Sequence, residues 1–99
     1  MFTVRVADNF HYMDESETYT HGDFATYAEA VAAAEVIVDR CLAESFRPGM
    51  AAAELLDGYL QFGDDPFIVP EPEGQHFSAR EYARRRCGEL CGGNATGAD

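Results

Sequence analysis

The string Thr26-Tyr27-Ala28-Glu29 constrains this chain more than any other. A threonine hydroxyl accepts from the N3 amide while a glutamate at N3 reaches back to the N-cap amide, so the four residues read as a capping box. An apolar stripe follows at Tyr27, Ala28, Val31, Ala34, Val38, Leu42 and Phe46. These spacings fit a 3.6-residue period. The predicted helix therefore runs to about Phe46, and roughly twenty residues at 1.5 Å rise make a rod of about 30 Å, the width of a small domain. The rest of the fold has to be built along that rod.

Ahead of it, Phe2, Val4 and Val6 alternate with Thr3, Arg5 and Ala7, which predicts a half-buried strand. Thr18 to Phe24, rich in Thr and Tyr, predicts a second strand paired antiparallel with the first. The polar stretch Asp8 to Glu17 between them reads as a long hairpin loop, or as a continuation of the first strand to Tyr12. After the rod, Arg47-Pro48-Gly49 breaks the helix. Met50 to Phe62 predicts a shorter helix with Leu55, Leu56, Tyr59 and Leu60 on one side, closed by Gly63 as the C′ residue. Asp64-Asp65-Pro66 reads as a turn, Phe67-Ile68-Val69 as a short strand beside the first, and Pro70 to His76 as a linker.

Ser78-Ala79-Arg80-Glu81 is a second capping box, with Phe77 and Tyr82 spaced for a hydrophobic staple. It opens a last helix running to about Leu90, with Ala79, Tyr82, Ala83, Cys87 and Leu90 as its apolar stripe. The expected architecture is α+β, a two-layer sandwich in the order β-β-α-α-β-α. A three-stranded antiparallel sheet carries helices on one face and leaves the other fairly open. Residues 1–91 form a single domain in this reading, and 92–99 a disordered tail.

Composition narrows the function. The 99 residues carry 18 acids against seven basic residues, a net charge of −11. Phosphate backbones need clustered cations, so nucleic acid is excluded as a partner, and an anionic membrane surface with it. No run approaches the ~18 apolar residues of a membrane span. The opening MFTVRVADNF lacks a basic and a long apolar region, so no secretion signal is expected. Three cysteines, Cys41, Cys87 and Cys91, then read as free thiols of a reducing, cytoplasmic compartment. All seven basic residues are Arg, which with the high Ala content suggests the codon usage of a GC-rich bacterial genome. The charge is unevenly spread. Residues 1–75 hold 15 acids and three Arg, whereas 76–99 hold three acids and four Arg. The final helix is thus the one non-acidic stretch, a docking helix for an acidic partner or, more simply, a neutraliser of its own domain.

Chemistry-bearing patterns are sparse. In the acidic loop, His11 and Asp14, with His21 from the second strand, make a candidate divalent-metal site for a small metal-assisted enzyme. The calcium-loop and zinc spacings are nevertheless absent. Cys87 and Cys91 share a helix face, but CxxxC is not the redox spacing, and packing explains a cysteine there. No nucleophile elbow or phosphate loop occurs. The balance is against an enzyme; no catalytic residue and no cofactor or metal is assigned.

The strings DNFHYMDESE, FGDDPFIV and FSAREYARRRC resemble short conserved-hypothetical bacterial proteins without an assigned function. The resemblance spans most of residues 2–91. It implies a small cytoplasmic domain, and no activity or catalytic residue with it.

The function expected from the residues is a non-catalytic protein-interaction module. Its contact surface is Phe10, His11 and Tyr12 of the acidic loop with Asp64, Asp65 and Phe67 of the FGDDPF segment, or an edge strand that accepts a partner strand. An acidic decoy filling a basic protein groove is the alternative. Arg86 is singled out as structural. At about 100° per residue it falls inside the apolar stripe, between Tyr82 and Leu90, while Arg80, Arg84 and Arg85 fall outside. A core-facing guanidinium snorkels or finds a carboxylate. Asp39, Glu35, Asp64 and Asp65 are the candidates, with a backbone carbonyl as second acceptor.

Overall fold

The computed structural model describes residues 1–8 and 18–91; the hairpin-loop and tail expectations lie outside them. Three strands, β1 (Phe2–Asp8), β2 (Tyr19–Phe24) and β3 (Asp64–Val69), and three helices, α1 (Tyr27–Ser45), α2 (Ala52–Phe62) and α3 (Ala79–Leu90), follow one another as β-β-α-α-β-α. The sheet is antiparallel throughout, in the order β2-β1-β3. The chain is an α+β sandwich with α1 laid on the sheet, and α2 and α3 packed on α1 and on each other.

Local chemistry accounts for the helix starts. Thr26 Oγ1 accepts from Glu29 N at 3.1 Å and Glu29 Oε1 accepts from Thr26 N at 3.3 Å, so both arms of the first capping box are made. At α3, Ser78 Oγ accepts from Glu81 N at 3.2 Å, and the Phe77 and Tyr82 rings meet at 6.2 Å as a staple. Helix α2 starts at Ala52, two residues later than its apolar pattern suggests, with no side-chain cap at Ala51.

The core explains which faces the helices chose. Val4, Val6 and Ile68 from the sheet meet Ala34, Val38 and Leu42 of α1, Leu55 of α2 and Ala83 of α3. In α1 the buried stripe is Ala30, Ala34, Ile37, Val38 and Leu42, rotated from the expected one, and Ala28 is exposed. The stretch VAAAEVIV is apolar nearly all round, so its pattern alone does not select a face. In α3 the buried line is Ala79, Ala83 and Cys87, continued by Cys91, while Leu90 is partly exposed. An i,i+4 row therefore faces the core, and Leu90 lies beside it.

Two expectations about the FGDDPF segment are corrected. Asp64-Asp65-Pro66 is the first half of β3, with Asp64 paired to Asp8 and Pro66 to Val6. Proline is tolerated there because β3 is an edge strand, and its ring is fully buried. Gly63 closes α2 in an extended conformation (φ −79°), not a left-handed one. Its lack of a side chain matters through Tyr59. A Cβ at Gly63 would run into the Tyr59 ring and lie 2.9 Å from the Tyr59 carbonyl oxygen.

Candidate interaction surface

Strand alternation divides the predicted contact residues. Asp64 lies on the helix side. Its carbonyl accepts from the Tyr59 hydroxyl at 2.6 Å, and its amide donates to Cys41 Sγ at 3.5 Å. Burial, and then Asp8 and Glu44 nearby, push the Asp64 carboxyl up, and burial pushes the Cys41 thiol up. Asp64 thus ties β3 to α1 and α2 and does not belong with its neighbours on a contact face. Asp65 and Phe67 alternate to the other side. Phe10, His11 and Tyr12 lie outside the described residues, as does Asp14 of the metal reading.

Phe67 stands opposite Arg5 on the central strand, with Val69, 46% exposed, two residues on. Thr20 flanks Arg5 from β2, and the Thr3 hydroxyl donates to Asp23 Oδ1 at 2.6 Å on the same face. Arg5 Nε is buried with no hydrogen-bond acceptor among the described residues. Phe67 continues into a concavity of about 350 Å³ lined by Asp65, His76, Phe77 and Arg80, between β3 and the start of α3. Burial raises the Asp65 carboxyl there, and Arg80 partly offsets it.

The two sheet edges differ as docking strands. The β3 edge is flanked by the beginning of α3. The β2 edge is interrupted, because the register slips between Val4 and Arg5 and leaves His21 as a bulged residue. Bulges twist an edge away from further pairing. His21 stacks on Phe24 at 6.5 Å, and among the described residues no three His, Cys, Asp or Glu side chains are grouped to hold a metal. Among them, too, no helix is long and apolar enough to cross a membrane.

Arg86 of α3 is bonded across to α1. Arg86 Nε donates to Asp39 Oδ1 at 2.9 Å, and Asp39 Oδ2 accepts from the Tyr82 hydroxyl at 2.9 Å. The second acceptor for Arg86 is the Glu89 carboxylate, where a backbone carbonyl was expected. The pair is half-buried, with side chains 29% and 39% exposed, so Arg86 reaches its partner at the rim of the stripe. Hydrogen bonds to Asp39 and Glu89 raise the Arg86 guanidinium further. Burial, followed by Asp39, pushes Tyr82 up to about 12. Arg85 lies over the Tyr82 ring at 5.0 Å and approaches Glu89 at 3.8 Å. Cys87 is buried and its thiol is pushed up to about 11 by burial, then by Cys91, which leaves a packing residue and not a nucleophile.

Sequence reasoning missed one residue that organises its surroundings. Glu71 Oε1 meets His76 Nδ1 at 2.7 Å and Glu71 Oε2 accepts from Phe77 N at 3.0 Å. Its position in a linker without periodicity offers no signal in one dimension. No protein-family model, curated protein sequence or solved structure matches this chain.

Proposed function

We propose that this chain is a small cytoplasmic, non-catalytic domain that binds a protein partner through the outer face of its sheet around Phe67. The observation that carries the reading is the sidedness of the sheet. Val4, Val6, Pro66 and Ile68 are sealed by the helices, while Arg5, Phe67 and Val69 share the side that no described helix covers. A half-buried aromatic and an arginine whose Nε lacks an acceptor among the described residues are residue types of an interface centre, and an exposed valine lies beside them. A partner carbonyl or carboxylate would satisfy that donor, whose unmet burial is costly. Three free cysteines suit a reducing compartment.

The test is affinity capture from the native cytoplasm with quantitative mass spectrometry, using wild type, Phe67→Arg and Val36→Arg. Val36 is 54% exposed on α1, in the opposite layer. A specific protein retained by wild type and Val36→Arg but lost with Phe67→Arg, all three folded by circular dichroism, is the expected result. Equal recovery by all three overturns the proposed face. The acidic-decoy reading draws on the mutual closeness of Asp8, Glu44 and Asp64. A decoy complex dissolves as salt screens its charges, whereas one seated on Phe67 survives.

A further inference from the structure

The nine residues 70–78 join β3 to α3 with neither helix nor strand. Only Phe77 of this strap enters the core. Its one internal backbone hydrogen bond is the turn Gln75 N to Pro72 O, 3.0 Å, built on Gly74 at φ +81°. Among the described residues, every other hydrogen bond of residues 70–77 runs through the Glu71 carboxylate, one oxygen to the His76 ring and the other to the Phe77 amide. The hydroxyl of Tyr27, on the first turn of α1, faces the same carboxylate. We infer that Glu71 is the latch of this strap and that the proton on His76 sets how firmly the latch holds, which makes the strap a pH-responsive element of the surface.

The chemistry follows from what each partner offers. The Phe77 amide donates at any pH, and it lies just ahead of the α3 N-terminus, where a carboxylate is favoured. His76 Nδ1 donates to a carboxylate only while it carries a proton. The imidazolium adds a charge to that bond; the neutral ring keeps the bond only as the Nδ1–H tautomer. Burial of Glu71 opposes its ionisation, but the bonds from His76 and the Phe77 amide outweigh it, and the carboxyl sits below its ordinary 4.5. The bond to Glu71, with Glu81 adding to it, raises His76 above 6.5.

The groups around the pair are of both signs. Glu35 of α1 and Glu81, Tyr82 and Arg85 of α3 line a concavity of about 320 Å³ on one side of His76. Asp65 and Arg80 line the one of about 350 Å³ on the other. The strap residues His76 to Ser78 are the wall between them, so loosening the latch reshapes both.

A raised His76 contributes fully below 6.5, and its contribution is lost as pH rises through the raised value. A lowered Glu71 contributes above 4.5, and its contribution is lost as pH falls through the lowered value. The latch is therefore tightest between about 4.5 and 6.5, looser in mild alkali, and open in strong acid. Because His76 is 73% exposed, salt on the order of 1 M, where the Debye length is about 3 Å, narrows the difference.

NMR on the full chain tests this. The His76 ring should titrate above 6.5 in wild type and lower than that in Glu71→Gln. Exchange of the Phe77 amide, relative to the Glu54 amide on α2, should quicken between pH 6 and pH 8 in wild type. In His76→Gln that relative rate should be flat. An ordinary His76 titration in wild type, or the same relative change in wild type and His76→Gln, overturns the proposal. The His76→Gln arm retains the Glu71 carboxylate and decides the matter if Glu71→Gln does not fold.

Discussion

Helix α3 is fastened by two carboxylates, one ahead of its first turn and one along its middle, and the two fastenings are built differently. At its start, Glu71 holds an exposed histidine and a backbone amide. Along its middle, Asp39 holds an arginine and a tyrosine hydroxyl across 47 and 43 residues of sequence. Arg86 is raised above an already high value and Tyr82 sits at about 12, so both donors keep their protons wherever the protein is handled. The imidazole of His76 does not. The middle of the helix is thus clamped by donors that stay protonated, its entry by a histidine whose charge is lost as pH rises through its raised value.

The largest effect that sharpens this contrast is at Asp39. Asp39→Ala removes the acceptor of Arg86 Nε and of the Tyr82 hydroxyl, leaving Arg86 with Glu89, and should lower stability by about 2–3 kcal/mol, given that bonds to charged groups are worth about 1.5–3 kcal/mol each. Urea titration reads it directly. Arg86→Ala should cost about 1–2 kcal/mol. A fully buried pair would cost about 3–5 kcal/mol, but this one is half in water, where pairs weaken. Arg84→Ala, on an exposed position, should cost under about 0.5 kcal/mol. Equal losses for the two arginines would dissolve the distinction between the clamp and the solvated face.

Next come the caps. Thr26→Ala and Ser78→Ala should each cost about 1 kcal/mol, visible as a lower melting temperature in a domain holding about 5–15 kcal/mol in total. If the Ser78 variant melts like wild type, the start of α3 is held by the strap and not by its cap.

Smaller still is the proton dependence of stability. The raised tyrosine contributes fully below its ordinary 10 and loses its contribution only as pH rises toward about 12, so the Asp39 clamp should be flat from about pH 7 to 9. Over that range wild type should lose a little stability that His76→Gln does not, as His76 gives up its proton. Parallel curves would mean that the exposed pair contributes nothing. The smallest expected effect is chelation. The domain is expected to fold without metal, and a chelator should leave its melting unchanged. A drop of several degrees would place a metal-stabilised site in the His11 to Glu17 stretch, since a ligand of the native state stabilises it by mass action.

The split between what is local and what is not runs through every element. The Thr26–Glu29 capping box, the Ser78 cap (whose reciprocal Glu81 arm is not made), the staple, the Pro-Gly break after Phe46 and the alternation of β1 are written in residues one to four apart, and these determined the starts of α1 and α3, the element order and the α+β class. Arg86 belongs here too, because its place in the stripe of its own helix already demands a partner. The choice among four carboxylates was tertiary, settled by α1 packing against α3 so that Asp39 meets Arg86 and Tyr82. The face that α1 buries was equally tertiary, since VAAAEVIV offers apolar surface on nearly every side and only the sheet and α3 select Ala30 and Ile37 over Ala28. Pro66 reads locally as a turn and became strand because pairing with β1 and burial of its ring outweigh one missing amide. Glu71 carries no periodicity at all; its role exists only because the strap folds back and brings an imidazole, an amide and a tyrosine hydroxyl to one carboxylate.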